Sequence, residues 1–71
     1  MKPDELRKLT DYLRRVFGNP TLEVKARPRK ADSAEVYSGE EFLGVIYKDD
    51  EDGDDDVSYN FSMAILDVDL E

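Results

Sequence analysis

The chain has no cysteine and no histidine. Without thiols there is no disulfide, no thiolate nucleophile and no thiolate metal site. Without imidazole the usual general base and the usual neutral metal ligand are both missing, so an enzyme is not expected. Positive charge is scarce in one half: after Lys30 the only base is Lys48. No apolar run is long enough for a signal peptide or a membrane span, which makes a cytoplasmic protein the expectation. Seventy-one residues suffice for one domain, and a domain of this size buries only about 60% of the surface its unfolded chain exposes. A large internal active-site cavity is therefore not expected.

What is present is charge, and it is segregated. Residues 1–30 hold nine Lys or Arg against four acids, a balance of +5, while residues 31–71 hold one base against fourteen acids, a balance of −13; the whole chain carries −8. A net acidic surface argues against general nucleic-acid binding, which rests on a basic footprint. A local basic patch in the first half remains open to an anion.

The spacing predicts a helix from about Pro3 to Phe17. Pro3 suits a first helical turn, and Asp4 and Glu5 lie where the helix dipole favours negative charge. Leu6, Leu9, Leu13, Val16 and Phe17 fall on one stripe at about 100° per residue. Asp4 with Lys8 and Asp11 with Arg15 are spaced as i,i+4 ion pairs. Gly18 offers a left-handed cap, and Asn19-Pro20 stops the helix.

Four strands are expected to follow. The first, about Thr21 to Arg27, sets Leu22, Val24 and Ala26 against Glu23, Lys25 and Arg27. After a polar connection over Arg29-Lys30-Ala31-Asp32, the second, about Ser33 to Tyr37, turns Ala34 and Val36 inward. Ser38-Gly39-Glu40 predicts a tight hairpin into the third, Glu41 to Lys48. There, Leu43, Val45 and Tyr47 read as one face, while Phe42 and Ile46, flanking Gly44, make the other face apolar too. The fourth strand, Val57 to Leu66, alternates cleanly through Met63 and then meets a bulge or bend. An acidic hairpin loop, 49–56, joins the last two. The expected fold is one α+β domain over residues 1–71, an N-terminal helix packed on one face of a four-stranded antiparallel meander.

Three features are candidates for function. The apolar second sheet face, with Tyr37, Phe42 and Ile46 at its centre, reads as a contact surface for a protein partner or a second copy, unless residues 66–71 cover it. Lys25, Arg27, Arg29 and Lys30 could grip an anion or nucleic acid, although a solubilising turn is the simpler account. Asp50, Asp52 and Asp54 in the acidic loop could hold a divalent cation weakly. A calcium loop of the EF-hand kind fails there, since with Gly53 at its sixth place the first and twelfth places fall on Lys48 and Tyr59. No residue stands out as catalytic, cofactor-binding or metal-ligating. The leading expectation is a non-catalytic interaction or regulatory domain that works through an apolar sheet face or strand edge.

Taken whole, the sequence resembles a family of small alphaproteobacterial proteins catalogued as domain of unknown function 3126. The likeness is carried by Met1-Lys2-Pro3-Asp4-Glu5-Leu6-Arg7-Lys8-Leu9, by Tyr12-Leu13-Arg14-Arg15 with Phe17-Gly18-Asn19-Pro20, and by Arg27-Pro28-Arg29-Lys30 with Asp32-Ser33-Ala34-Glu35-Val36-Tyr37. It continues through Asp49-Asp50-Glu51-Asp52-Gly53-Asp54, Ser58-Tyr59-Asn60-Phe61 and Met63-Ala64-Ile65-Leu66. Asp55 and Asp56 lengthen the acidic loop relative to the family, which implies that the loop tolerates change. The resemblance brings no established activity and no site residues. It does imply a gene neighbourhood with serine acetyltransferase, and so that enzyme as a candidate partner.

Overall fold

A computed structural model describes residues 1–49 and 57–70. Helix α1 spans Pro3–Phe17, followed by strands β1 (Leu22–Arg27), β2 (Lys30–Ser38), β3 (Glu41–Asp49) and β4 (Ser58–Ser62), and a short 3-10 helix at Asp67–Leu70. The strands form one antiparallel sheet in the order β1-β2-β3-β4. This is the α+β meander that the sequence predicts. Residues 50–56, and with them Asp50, Asp52 and Asp54 of the acidic loop, lie outside the described residues.

The signals at both ends of α1 operate as their chemistry requires. The Glu5 carboxylate accepts the backbone N–H of Lys2 at 3.1 Å, one half of a capping box whose other half lysine, lacking an acceptor, cannot supply. At the far end Gly18 is left-handed, with φ 62°, and the Asn19 N–H returns to the Arg14 carbonyl at 3.0 Å, closing a Schellman turn. On the solvent side Asp4 pairs with Arg7 at 3.7 Å rather than with Lys8, and Arg15 lies over the Tyr12 ring at 5.3 Å. Exposed pairs of either spacing are worth little.

The turn between β1 and β2 is tighter than a polar connection. Only Pro28 and Arg29 lie between the strands, and Arg29 takes φ 67°. Proline first and positive φ second is the pattern of a type II turn, whose second place ordinarily goes to glycine. An arginine there hides the signal, so β2 begins at Lys30 rather than Ser33. The β2–β3 turn is legible: Gly39, at φ 62°, occupies the first central place of a two-residue hairpin loop.

The main departure lies in β3. The hairpin starts in simple register, Ser38 opposite Glu41 and Tyr37 opposite Phe42, but Val36 then faces Gly44 and Ala34 faces Ile46. Leu43 is the extra residue of a β-bulge, and beyond a bulge every side chain changes face. Ile46 therefore joins the helix-side core with Leu13, Leu22, Val24, Ala34 and Val36, and is only 2% exposed. Leu43 packs against the same core, whereas Phe42 stays on the outer face, 51% exposed. The expected grouping of Phe42 with Ile46 on the second face is thus corrected: Leu43 and Gly44 both turn to the helix side, and alternation in β3 resumes only from Gly44 onward.

Gly44 is required by the same crossing of chains. A Cβ there would run into the Ser62 carbonyl and stand 2.9 Å from Met63 Cβ, the close backbone approach that strand glycines often mark. β4 also ends early, at Ser62; Ala64–Leu66 leaves the sheet before the 3-10 helix.

Two stability outcomes test this layout. Ile46→Ser should lower unfolding stability in urea by about 3 kcal/mol or more, combining lost burial with a buried hydroxyl, while Phe42→Ser should cost less than about 1 kcal/mol. Equal costs would place both on one face. Gly44→Ala should cost about 1–3 kcal/mol by overpacking; a neutral result would contradict the close approach of Ser62 and Met63.

Candidate interaction surface

The helix does not cover the whole sheet. It lies over β1 and buries Leu13, with Leu6 and Leu9 partly buried against the core. The end of its apolar stripe reaches past the covered area: Val16 and Phe17 stay exposed, Phe17 at 57%. Across from them, β4 brings Phe61 opposite Ile46 on the helix side, and Met63 follows, 44% exposed. Leu13, Phe17, Leu22, Val36, Leu43, Phe61 and Met63, with Asn19, line an open cleft of about 220 Å³.

Toward the start of α1 one carboxylate ties the helix to the sheet. Glu5, held by its place in the first turn of α1, accepts Lys48 Nζ at 2.7 Å from β3 and the Tyr59 hydroxyl at 2.9 Å from β4. Its side chain is 19% exposed. The Lys48 ammonium above all, then the Lys2 N–H and the Tyr59 hydroxyl, holds its carboxyl down at about 2 from an ordinary 4.5. Charge-assisted donors favour the ionised form in this way. Glu5 is thereby locked as an anion, the opposite of what an acid catalyst at neutral pH needs.

On the outer face Tyr37 is the centre of a small cluster. Its hydroxyl donates to Glu35 Oε1 at 3.0 Å, the Phe42 ring meets it edge-on at 5.6 Å, and the Lys25 ammonium sits 4.8 Å from its ring centroid. Donation to the Glu35 carboxylate raises the phenol above its usual pKa. Beside this cluster, Phe42, Val45 and Tyr47 share a shallow groove with Ala64, Leu66 and Asp69 of the C-terminal segment. That segment borders the face without burying its own side chains: Ile65, Leu66, Val68 and Leu70 are all exposed.

Of the predicted contact residues, then, the structure brings Tyr37 and Phe42 together and places Ile46 beneath the helix. The basic residues are partly engaged within the chain. Lys25 lies on Tyr37, and Arg27 Nη1 donates to the buried Ser33 Oγ at 3.3 Å. Sequence reasoning missed the cleft. Its signal was a helical stripe running on to Phe17 on one side and the alternation of Tyr59, Phe61 and Met63 on the other; what hid it was the inverted face of β3.

A helix followed by a four-stranded antiparallel meander makes this a small α+β domain. The chain belongs to the family described as "Protein of unknown function (DUF3126)", whose model matches residues 5–69. No curated protein matches it, and no solved structure does. Among the described residues no helix is long and apolar enough to cross a membrane.

The Glu5 cluster gives a pH outcome. Because its folded pKa lies below the unfolded one, its contribution is fully present above about 4.5 and is lost as pH falls toward 2. Glu5→Gln should cost about 1 kcal/mol at neutral pH, discounted for solvent screening, and should flatten the stability profile across that acid window. A variant whose acid profile matches that of the parent would remove Glu5 from the account.

Proposed function

We infer that the chain is a non-catalytic protein-interaction domain whose contact surface is the apolar cleft between the C-terminal half of α1 and β4. The observation that carries this reading is the shared exposure of Phe17, Phe61 and Met63 along one cleft. Contiguous apolar surface on a small domain marks a place where something binds. Aromatic and methionine side chains are also the types enriched at contact surfaces. The outer-face pair Tyr37 and Phe42 is the lesser surface, because polar neighbours already surround Tyr37. A contact role, rather than catalysis, also suits a chain without His or Cys whose perturbed carboxylate is fixed in its charged form.

The test is a pair of measurements on Phe17→Ser/Met63→Ser. Each change should cost no more than about 1 kcal/mol in unfolding, as for exposed sites. Retention of a native partner by the immobilised domain should fall by about tenfold or more, as for contact residues that dominate binding. Serine acetyltransferase, implied by the family resemblance, is the first partner to offer. Retention unchanged in the variant would remove the cleft as the contact surface.

A further inference from the structure

A four-stranded sheet is wider than one helix. Strands lie about 4.8 Å apart and a helix is about 10 Å across with its side chains, so one face of such a sheet has room for two helices side by side. This chain lays one. α1 lies over β1, fastened to that edge where Thr10 Oγ1 accepts the Val24 N–H at 3.0 Å and Arg14 Nε donates to the Leu22 carbonyl at 2.7 Å. The helix side of β4 is left open: Tyr59 and Phe61 are exposed, and so is Met63 just after the strand.

The open strip runs alongside the helix. Leu9 and Leu13 are one turn apart on α1, and Tyr59 and Phe61 are two residues apart on one side of β4. Leu9 and Tyr59, with Glu5, Lys8 and Tyr12, line a groove of about 470 Å³, and Leu13 and Phe61 line the cleft. Groove and cleft therefore follow one another from Glu5 to Phe17, a length of about 18 Å, or about three turns of helix.

We propose that this strip is filled by an amphipathic α-helix of a partner protein, laid beside α1 over β3 and β4, with acidic residues seven apart on the flank that faces α1. This rests on the cleft being the contact surface and specifies what fills it. Side chains at helical spacing enter the cleft as apolar anchors, the mode by which grooves take helices.

Charge on α1 selects the partner helix. Lys8 and Arg15 are seven residues apart, nearly in line along the helix. Tyr12, between them, lines the groove with Lys8 and carries the Arg15 guanidinium 5.3 Å from its ring centroid. The acid on this flank, Glu5, is already neutralised by Lys48 at 2.7 Å, and Asp11 lies further round toward solvent. Flanking charges of this kind set partner choice between packed helices. A second copy has no helix to offer. The described residues hold one α-helix and a 3-10 helix of four residues, and the apolar stripe of α1 is already packed on its own core. The side of α1 turned away from that core carries Asp4, Arg7 and Asp11, charges that are costly to bury against Phe61.

The experiment measures, by fluorescence anisotropy on the full chain, a synthetic peptide of about eighteen residues, long enough to hold a helix, built on the repeat Leu-Gln-Ala-Leu-Leu-Gln-Glu. Its counterparts are the same peptide with Lys in place of each Glu, and the Glu peptide with a central Pro that breaks the helix. The expected result is binding of the Glu peptide, weakened by added salt and weakened about tenfold by Phe17→Ser. The variant Lys8→Glu/Arg15→Glu should reverse the preference, binding the Lys peptide over the Glu peptide. Equal binding of the proline peptide would overturn the helix. An unchanged preference in Lys8→Glu/Arg15→Glu would overturn the charge selection, and no binding of the Glu peptide would overturn the proposal as a whole. A mass that doubles with concentration would make a second copy the occupant and overturn it too. If the Glu peptide fails while Phe17→Ser/Met63→Ser still loses a native partner, the cleft stands and the partner helix falls; if that variant also loses nothing, both fall.

Discussion

The bulge at Leu43 decides which side chains of the last two strands face the helix. Upstream of it Phe42 pairs with Tyr37 on the outer face; downstream Ile46 pairs with Ala34 on the inner one. Because a sheet alternates with period two, one inserted residue transfers the whole remainder of β3, and with it the register of β4, from one face to the other. The core, the position of Phe61 over the cleft and the need for glycine at position 44 all follow from that single insertion.

Around this constraint the helix is fastened at three places along its length. The Met1 ammonium donates to the Ala31 carbonyl at 2.6 Å, Glu5 gathers Lys48 and Tyr59, and Thr10 and Arg14 take up the edge of β1. All three fastenings lie at or before Arg14, the first of them just ahead of the helix. Beyond Arg14 no described residue buries the stripe, and Val16 and Phe17 are exposed although their spacing marks them as core. In so small a domain each such side chain is a substantial part of the available apolar surface, and the proposed contact role is built on that exposure.

Much of the fold is written locally and can be read locally. The helix is legible because a 3.6-residue stripe, a glycine cap and Pro20 agree, and the β2–β3 hairpin is legible because Gly39 stands where a positive φ is needed. Two features resist that reading for opposite reasons. The Pro28-Arg29 turn uses a residue that does not advertise its backbone angle. The bulge has one ambiguous local mark, the strand glycine Gly44 beside it: Leu43 itself looks like any strand leucine, and the competition between Ile46 and Tyr47 for the core, settled by pairing with β2, determines which is buried. Tyr37 and Phe42 do share a face, and only the placement of Ile46 beside them depended on unbroken alternation. The cleft appears once the faces are assigned correctly.

The most direct measurement of the central claim is methyl NMR with a soluble paramagnetic agent, which attenuates signals in proportion to their access to solvent. The account requires the methyls of Ile46 and Val36 to be spared, and those of Val16 and Met63 to be strongly attenuated. Protection of Met63 and Val16 to the same degree as Ile46 would mean that the cleft is closed in the isolated chain, and the claim that it is an open contact surface would be contradicted.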